Sequence, residues 1–180
     1  MKRSFLFICC NLVCLLSIAQ QDTFKFSCIN NQLEWQKVYD KELTFEELTL
    51  FVKTNGHFEN IEVLDESIIA TIKNIEAEYT SLGYSELSVP MYVSRSFYSG
   101  KVVINWKPEK YRVTVKNIML TQKYDDGLSK EGEMSSLDSF AVKKGKNLMK
   151  NSFLKKPGEI INHTFSALFL ISDNENNDNW

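Results

Sequence analysis

Between Pro90 and Leu120 the chain alternates apolar and polar residues in runs that two turn signals interrupt, Ser99-Gly100 and Lys107-Pro108-Glu109-Lys110. Period-two alternation of aromatic and β-branched residues, punctuated by turn residues, is the mark of strands joined by hairpins. The stretch predicts three consecutive antiparallel strands. A two-residue turn at Ser99-Gly100 pairs Tyr98 with Lys101, Phe97 with Val102, Arg95 with Ile104 and Val93 with Trp106. A turn at Pro108-Glu109 pairs Trp106 with Tyr111, Ile104 with Val113 and Val102 with Val115. Side chains alternate across a strand, so one face collects Met91, Val93, Phe97, Val102, Ile104, Trp106, Tyr111, Val113 and Val115. The other collects Tyr92, Ser94, Ser96, Tyr98, Lys101, Val103, Asn105, Lys107, Arg112, Thr114 and Lys116. Both turns give the same apolar face, and a slip of one residue would mix the two. Arg95 falls on the apolar face, where its stem can pack while its head reaches water.

The rest of the chain reads as a cover for that face. Phe24–Asn30 and Leu33–Tyr39 are expected as strands around Asn30-Asn31-Gln32, because asparagine tolerates left-handed backbone. Thr44 with Glu47 three residues on is a capping box. Phe45, Leu48, Phe51 and Val52 then fall at helical spacing, and Asn55-Gly56 stops the helix. Ser67–Ile75 alternates as a further strand. Glu76–Val89 and Tyr124–Ser136 are polar connections. Leu137, Phe140, Ala141, Leu148, Met149 and Phe153 predict a helix from Leu137 to Leu154, against which Gly145 counts by about 1 kcal/mol. Pro157-Gly158 breaks the chain before a short apolar helix that includes Ile160, Ile161, Thr164, Phe165, Leu168 and Phe169. The fold class expected is α+β, with an antiparallel sheet of about five or six strands and helices packed on one face.

Residues 1–19 read as a signal peptide, with a basic start (Lys2, Arg3), an apolar core from Phe5 to Ile18, and small residues Ser17 and Ala19 before the cut. That core is short for a membrane span. Cys14, after Leu12-Val13, is a poor match to a lipoprotein site and is the alternative. The chain's 21 basic residues less Lys2 and Arg3 leave 19 against 23 acidic ones, a formal charge of −4 for residues 20–180. Three of the four cysteines, Cys9, Cys10 and Cys14, lie in the leader, so the remainder is not a disulfide scaffold. Cys28 alternates with Phe24 and Phe26 and reads as a small buried hydrophobe. Residues 20–171 are expected as one domain, exported to the periplasm or cell exterior, and 172–180 as a polar tail.

The pattern INNQLEWQKVY, then a helix, then GKVVINWKPEKYRVTVKNI resembles a family of uncharacterised secreted domains, mainly from Bacteroidetes, with a TBP-like fold. The resemblance spans Phe24 to Phe153 and rests on Trp35 and on the hairpin ending in Lys110-Tyr111-Arg112. It implies the order β-α-β-β-β-β-α. The family has no established biochemical function, so it implies no functional residues.

No sequence motif points to catalysis. His57 and His163 stand outside HExxH or Cys/His ligand spacings, so no metal site is expected. GxSxG, GxGxxG and P-loop patterns are missing, and no cofactor or catalytic residue is assigned. Glu46-Glu47 and Asp125-Asp126 read as a helix start and a turn. The polar sheet face remains, with Tyr92, Tyr98, Lys101, Asn105, Arg112, Thr114 and Lys116 as candidate ligand-binding residues. Basic residues interleaved with aromatic ones suit sugars or anionic polymers, although solvated sheet faces share this composition. Export and the acidic balance argue against nucleic acid. The functional expectation is a non-enzymatic binding or assembly module of the bacterial cell envelope, partnered by an anionic envelope polymer or another envelope protein. The alternative is an envelope hydrolase whose site is assembled from scattered carboxylates or histidine.

Overall fold

The structure is a computed structural model that describes residues 24–172. The expected leader, its cleavage site, and the tail beyond Ser172 lie outside the described residues. Along the chain come β1 (Phe26–Ile29), β2 (Gln32–Asp40), α1 (Phe45–Thr54), β3 (Phe58–Val63), β4 (Ser67–Glu76), α2 (Met91–Ser94), β5 (Ser96–Lys107), β6 (Lys110–Gln122), β7 (Met134–Ser136), α3 (Asp138–Ala141) and α4 (Lys156–Leu168). The seven strands form one antiparallel sheet in the order β1-β2-β6-β5-β4-β3, with β7 also on β6. The fold is α+β, as expected, and two of its strands, β3 and β7, were not in the chain pattern.

The β5–β6 hairpin has the register read from the sequence, with Trp106 opposite Tyr111, Ile104 opposite Val113 and Val102 opposite Val115. The turn at Ser99-Gly100 does not exist. β5 runs straight through it, and β4 takes the place expected for the first strand, pairing Ile68 with Ile104 and Ala70 with Val102. Met91–Ser94 is a single helical turn behind Pro90. Gly100 is there for contact rather than for turning. A Cβ on it would lie 3.1 Å from the Lys116 carbonyl and 3.1 Å from Val115 Cγ1. Because the strand is continuous, Tyr98 stays in phase with Val102 and joins the core, while Phe97 moves to the other face beneath the Lys123 ammonium.

The sheet is bent by bulges. The register shifts between Glu59 and Glu62 in β3, between Ile72 and Ile75 in β4, and opposite Ser99–Lys101 in β6. Each carries an asparagine at positive φ, Asn60, Asn74 and Asn117. A bulge holds one extra residue in left-handed backbone, which asparagine adopts more readily than other side chains with a Cβ.

α1 forms as expected, with the Thr44–Glu47 capping box complete and Leu48 and Val52 buried. The helix expected from Leu137 to Leu154 does not form. Its first turn survives as α3. Gly145 then takes positive φ, and the chain folds back so that Val142 bridges Met149. The polar run Lys143-Lys144-Gly145-Lys146-Asn147 favours that reversal over a helix. The main cover is α4 instead, with Pro157 in its first turn, a position where the missing N–H costs nothing. Gly158 is needed beside it, since a Cβ would stand 2.9 Å from the Phe153 carbonyl. α4 lays Phe165 edge-on against Trp35 at 5.5 Å between centroids, and Phe169, just past its end, stacks on the same indole at 5.8 Å. It is also tied to the sheet by hydrogen bonds. Trp35 Nε1 donates to Asn162 Oδ1 at 3.0 Å, and the Tyr111 hydroxyl donates to the Phe169 carbonyl at 2.7 Å.

Candidate functional site

The helix-bearing face of the sheet is not covered to its end. Past α4, where β5, β6 and β7 meet, lies a cleft of about 650 Å³. Its floor is Ser96 of β5 and Leu120 and Gln122 of β6. One wall is Val89-Pro90-Met91-Tyr92, the other Leu128, Ser129, Glu133 and Phe140. Tyr92 and Phe140 stack at 4.4 Å between centroids, which joins α2 to α3 across the cleft. Burial pushes the Tyr92 phenol up to about 12, so it is a neutral donor at ordinary pH. Ser96 is only 3% exposed, and its hydroxyl has no hydrogen-bond partner among the described residues. A serine hydroxyl in the lining of a mostly apolar cleft is the arrangement of a small-ligand site, in which a few polar groups orient an apolar body.

The loop from Tyr124 to Glu133 holds one rim. The Asp126 carboxylate accepts the Leu128 and Ser129 N–H groups, both at 2.8 Å, and these bonds hold it below the usual carboxylate range. The Arg95 guanidinium, 3.3 Å from Asp126, adds to that effect. Arg95 was expected to reach water, but its head is bound by Asp126, lies 3.6 Å from Glu86 and packs over the Tyr124 ring. The Asp125-Asp126-Gly127 turn is therefore an anchor for the loop. Its reach to Arg95, 31 residues away, left no signal in local spacing.

The expected polar-face patch divides in three. Lys101, Asn105, Arg112, Thr114 and Lys116 do share the outer face. Tyr92 does not, and lines the cleft on the opposite side. Tyr98 is wholly buried in the core against Phe165. On the outer face Arg112 donates to Asn105 Oδ1 at 3.1 Å, and Thr114, 8% exposed, offers little surface. Lys101 does stand opposite Lys116, a repulsive pairing. Glu34 on β2 resolves it, with its carboxylate 2.9 Å from Lys116 Nζ. Lys101 is exposed and has no carboxylate at ion-pair distance among the described residues.

The fold also brings together Ser81, His163 and Glu78, which sequence spacing had kept apart. Ser81 Oγ is 2.9 Å from His163 Nε2, and the Glu78 carboxylate is 3.6 Å from the same nitrogen. A hydrolytic triad needs the carboxylate on the other ring nitrogen, so that it fixes the tautomer that receives the serine proton. Here Ser81 Oγ also lies 2.7 Å from the Glu78 carbonyl, to which it donates. The group acts as a clasp between α4 and the loop before α2. Cys28 is half-buried, and burial raises its thiol further from the reactive thiolate, with Asp138 adding to it. Among the described residues no cluster of three metal-ligating side chains occurs, and no helix is long and apolar enough to cross a membrane.

No family model matches the chain, and no curated protein matches it. Two solved structures are similar to it at 14% identity. One is a DUF4468 family protein from Bacteroides ovatus, with a TM-score of 0.45 over 81% of this chain and 91% of that one. The other is a TBP-like protein from Parabacteroides distasonis, with a TM-score of 0.49 over 78% of this chain and 92% of that one. Both come from Bacteroidetes and one is TBP-like, as the resemblance in the sequence has it. At this identity and these TM-scores the likeness brings no ligand or reaction to this chain.

Proposed function

We propose that the protein is an exported, non-enzymatic binding module of the cell envelope, and that its ligand seat is the cleft at the uncovered end of the sheet. The mostly apolar cleft that Tyr92, Phe140 and Leu120 line together with the hydroxyl-bearing Ser96 carries this reading. A fitting ligand has an apolar body that packs on Leu120, Met91 and the Tyr92 ring. It also has a hydroxyl or amide that reaches Ser96 or Gln122. Export rests on the Ser17/Ala19 site, and N-terminal sequencing of the protein recovered outside the inner membrane should begin at Gln20. A chain that starts at a lipid-bearing Cys14 would replace the soluble form with an anchored one.

The cleft reading is tested by native mass spectrometry of the mature protein after incubation with envelope extract. A bound small molecule is expected on the parent protein. Ser135→Trp fills the cleft from β7, where Ser135 is half-buried. That variant should keep its melting temperature and lose the adduct. Equal adducts on both proteins would place the ligand elsewhere.

Lys101 favours a second reading, an anionic envelope polymer bound on the outer face. Changing Lys101, Arg112 and Lys116 together to Gln should leave the fold intact, because all three side chains are exposed. If this face binds, the variant should hold a polyanion such as dextran sulfate several-fold less tightly at low salt, with the difference vanishing as salt screens it. Parent-like binding at low salt removes this face from consideration.

A further inference from the structure

The sheet ends at β3, which has β4 on one side only. No backbone hydrogen bond reaches its other side between Glu59 and Val63 among the described residues. α1 runs next to that edge, and a groove of about 390 Å³ lies between them, lined by Phe45, Glu46, Thr49, Leu50, Lys53 and Val63. Leu50 and Val63 are exposed within it, at 61% and 39%. The Thr49 hydroxyl oxygen is buried in the wall with no partner. A second cleft shares Phe45 and Glu46 with the groove and extends it to Trp106, Pro108 and Asp65. The surface is acidic in balance, although Lys53 lines the groove and Glu59 is paired with the Lys73 ammonium. From Glu42 to Glu66 the sequence has seven carboxylates and one lysine, Lys53.

We propose that the α1–β3 groove is a docking surface for an extended, basic segment of a partner protein, added to the sheet as a strand beside β3. Strand addition satisfies the free main-chain groups of an edge, and pockets for alternate side chains give it specificity. Apolar residues of the segment would enter between Phe45, Leu50 and Val63. The lysines or arginines between them would meet Glu46, Glu62 and Asp65, and the Phe45–Trp106 ring pair adds a face for a cation. A second copy of this chain does not fit. β3 laid antiparallel on itself in the centred register would set Glu59 of each copy against Glu62 of the other. The Asn60 bulge and these glutamates are devices that stop sheet edges from pairing with their own kind. The glutamates repel an acidic strand and attract a basic one, which selects the partner as well as protecting the edge.

The test uses a ten-residue peptide alternating valine and lysine, at low salt, with the mature protein. The peptide should slow hydrogen exchange at the Ile61 and Val63 amides. Two control peptides separate strand pairing from simple charge attraction. One has glutamate for lysine, and the other is N-methylated at alternate backbone positions. The first should not bind, and the second should bind at least tenfold more weakly. Glu46→Lys with Glu62→Lys, both exposed positions, should weaken binding at least tenfold without changing the circular dichroism. Equal binding by the methylated peptide, or no slowing of exchange in β3, would overturn the proposal. So would a dimer in solution that Ile61→Pro abolishes, because the edge would then belong to a second copy.

Discussion

Trp35→Ala is expected to destabilise the protein by about 3–5 kcal/mol, the range for truncating a large aromatic side chain in a packed core. Trp35 is fully buried and sits where β2 meets α4. It packs on Phe165 and Phe169 and bonds Asn162. Removal leaves a cavity under the helix that covers the sheet and frees the Asn162 amide. For a domain of this size the melting temperature should fall by roughly 6–20 °C. Trp106 makes the comparison. It lies on the same face but at the margin, half-buried, with its indole N–H donating to the Leu43 carbonyl at 2.9 Å. Water can replace that partner and part of that contact, so Trp106→Ala should cost about 1–3 kcal/mol, in proportion to the smaller area it buries. Urea unfolding of both variants checks the ranking. A Trp106 loss equal to or above that of Trp35 would mean that the core is centred on the hairpin rather than under α4.

That contrast marks what was legible in the chain. Register was readable at Pro108-Glu109, since proline there fixes a turn and the flanking alternation has one apolar solution. The same alternation around Ser99-Gly100 fits either a hairpin or a continuous bulged strand. Only the neighbour decides, and that neighbour, β4, lies some thirty residues back in the chain. The Thr44–Glu47 capping box was legible because it is a local hydrogen-bond pattern. Asn60, Asn74 and Asn117 were not read as bulges, because an asparagine inside a strand looks like a solvent-facing position until its φ is known. β3, with the sequence FENIEV, carries too few apolar residues to alternate visibly, as suits an edge strand. The Leu137–Leu154 helix was misplaced because apolar spacing of three and four also arises when a reversed loop drops residues into a core.

The candidate site was less legible than the fold. Tyr92 has the property that marks a binding residue, an aromatic ring beside polar groups, but α2 turns it to the cleft and not to the outer face. Its partners Phe140 and Ser96 belong to other elements, and nothing in sequence joins them. The outer face was read correctly for its charges. What it lacked was Glu34, contributed by β2 through the β2–β6 pairing, and that one carboxylate accounts for the lysine opposition without any ligand.

The phenols give the second large effect, which is loss of the fold at alkaline pH. Six of the seven tyrosines are in or against the core, and four of them, Tyr39, Tyr92, Tyr98 and Tyr111, have phenols that burial raises most. Burial pushes Tyr92 and Tyr111 up to about 12. Burial drives Tyr98 well above its ordinary value, and Tyr39 rises from burial first and from Tyr111, stacked on it at 4.8 Å, second. The folded state thus holds its phenol protons more tightly than the unfolded chain, whose tyrosines ionise near pH 10. Their contribution is complete below that pH and is lost as pH rises through 10 toward 12 and beyond. Each such group removes up to about 1.4 kcal/mol per pH unit. Four together approach roughly 5 kcal/mol per unit, less where Tyr39 and Tyr111 hinder each other. A domain with about 5–15 kcal/mol of stability is therefore expected to unfold cooperatively within a few units above pH 10. Tyrosinate absorbance should show an early rise from the least buried phenols, then a second rise coincident with loss of circular dichroism. Tyr98→Phe should move that transition to higher pH at little cost near neutrality, because its hydroxyl makes only long 3.5 Å contacts with the Tyr92 and Val93 carbonyls. Tyr111→Phe should lower stability at neutral pH, because it gives up the 2.7 Å bond to the Phe169 carbonyl. If all seven tyrosines ionise together near pH 10 while the circular dichroism is unchanged, the phenols are solvated and α4 does not seal the sheet.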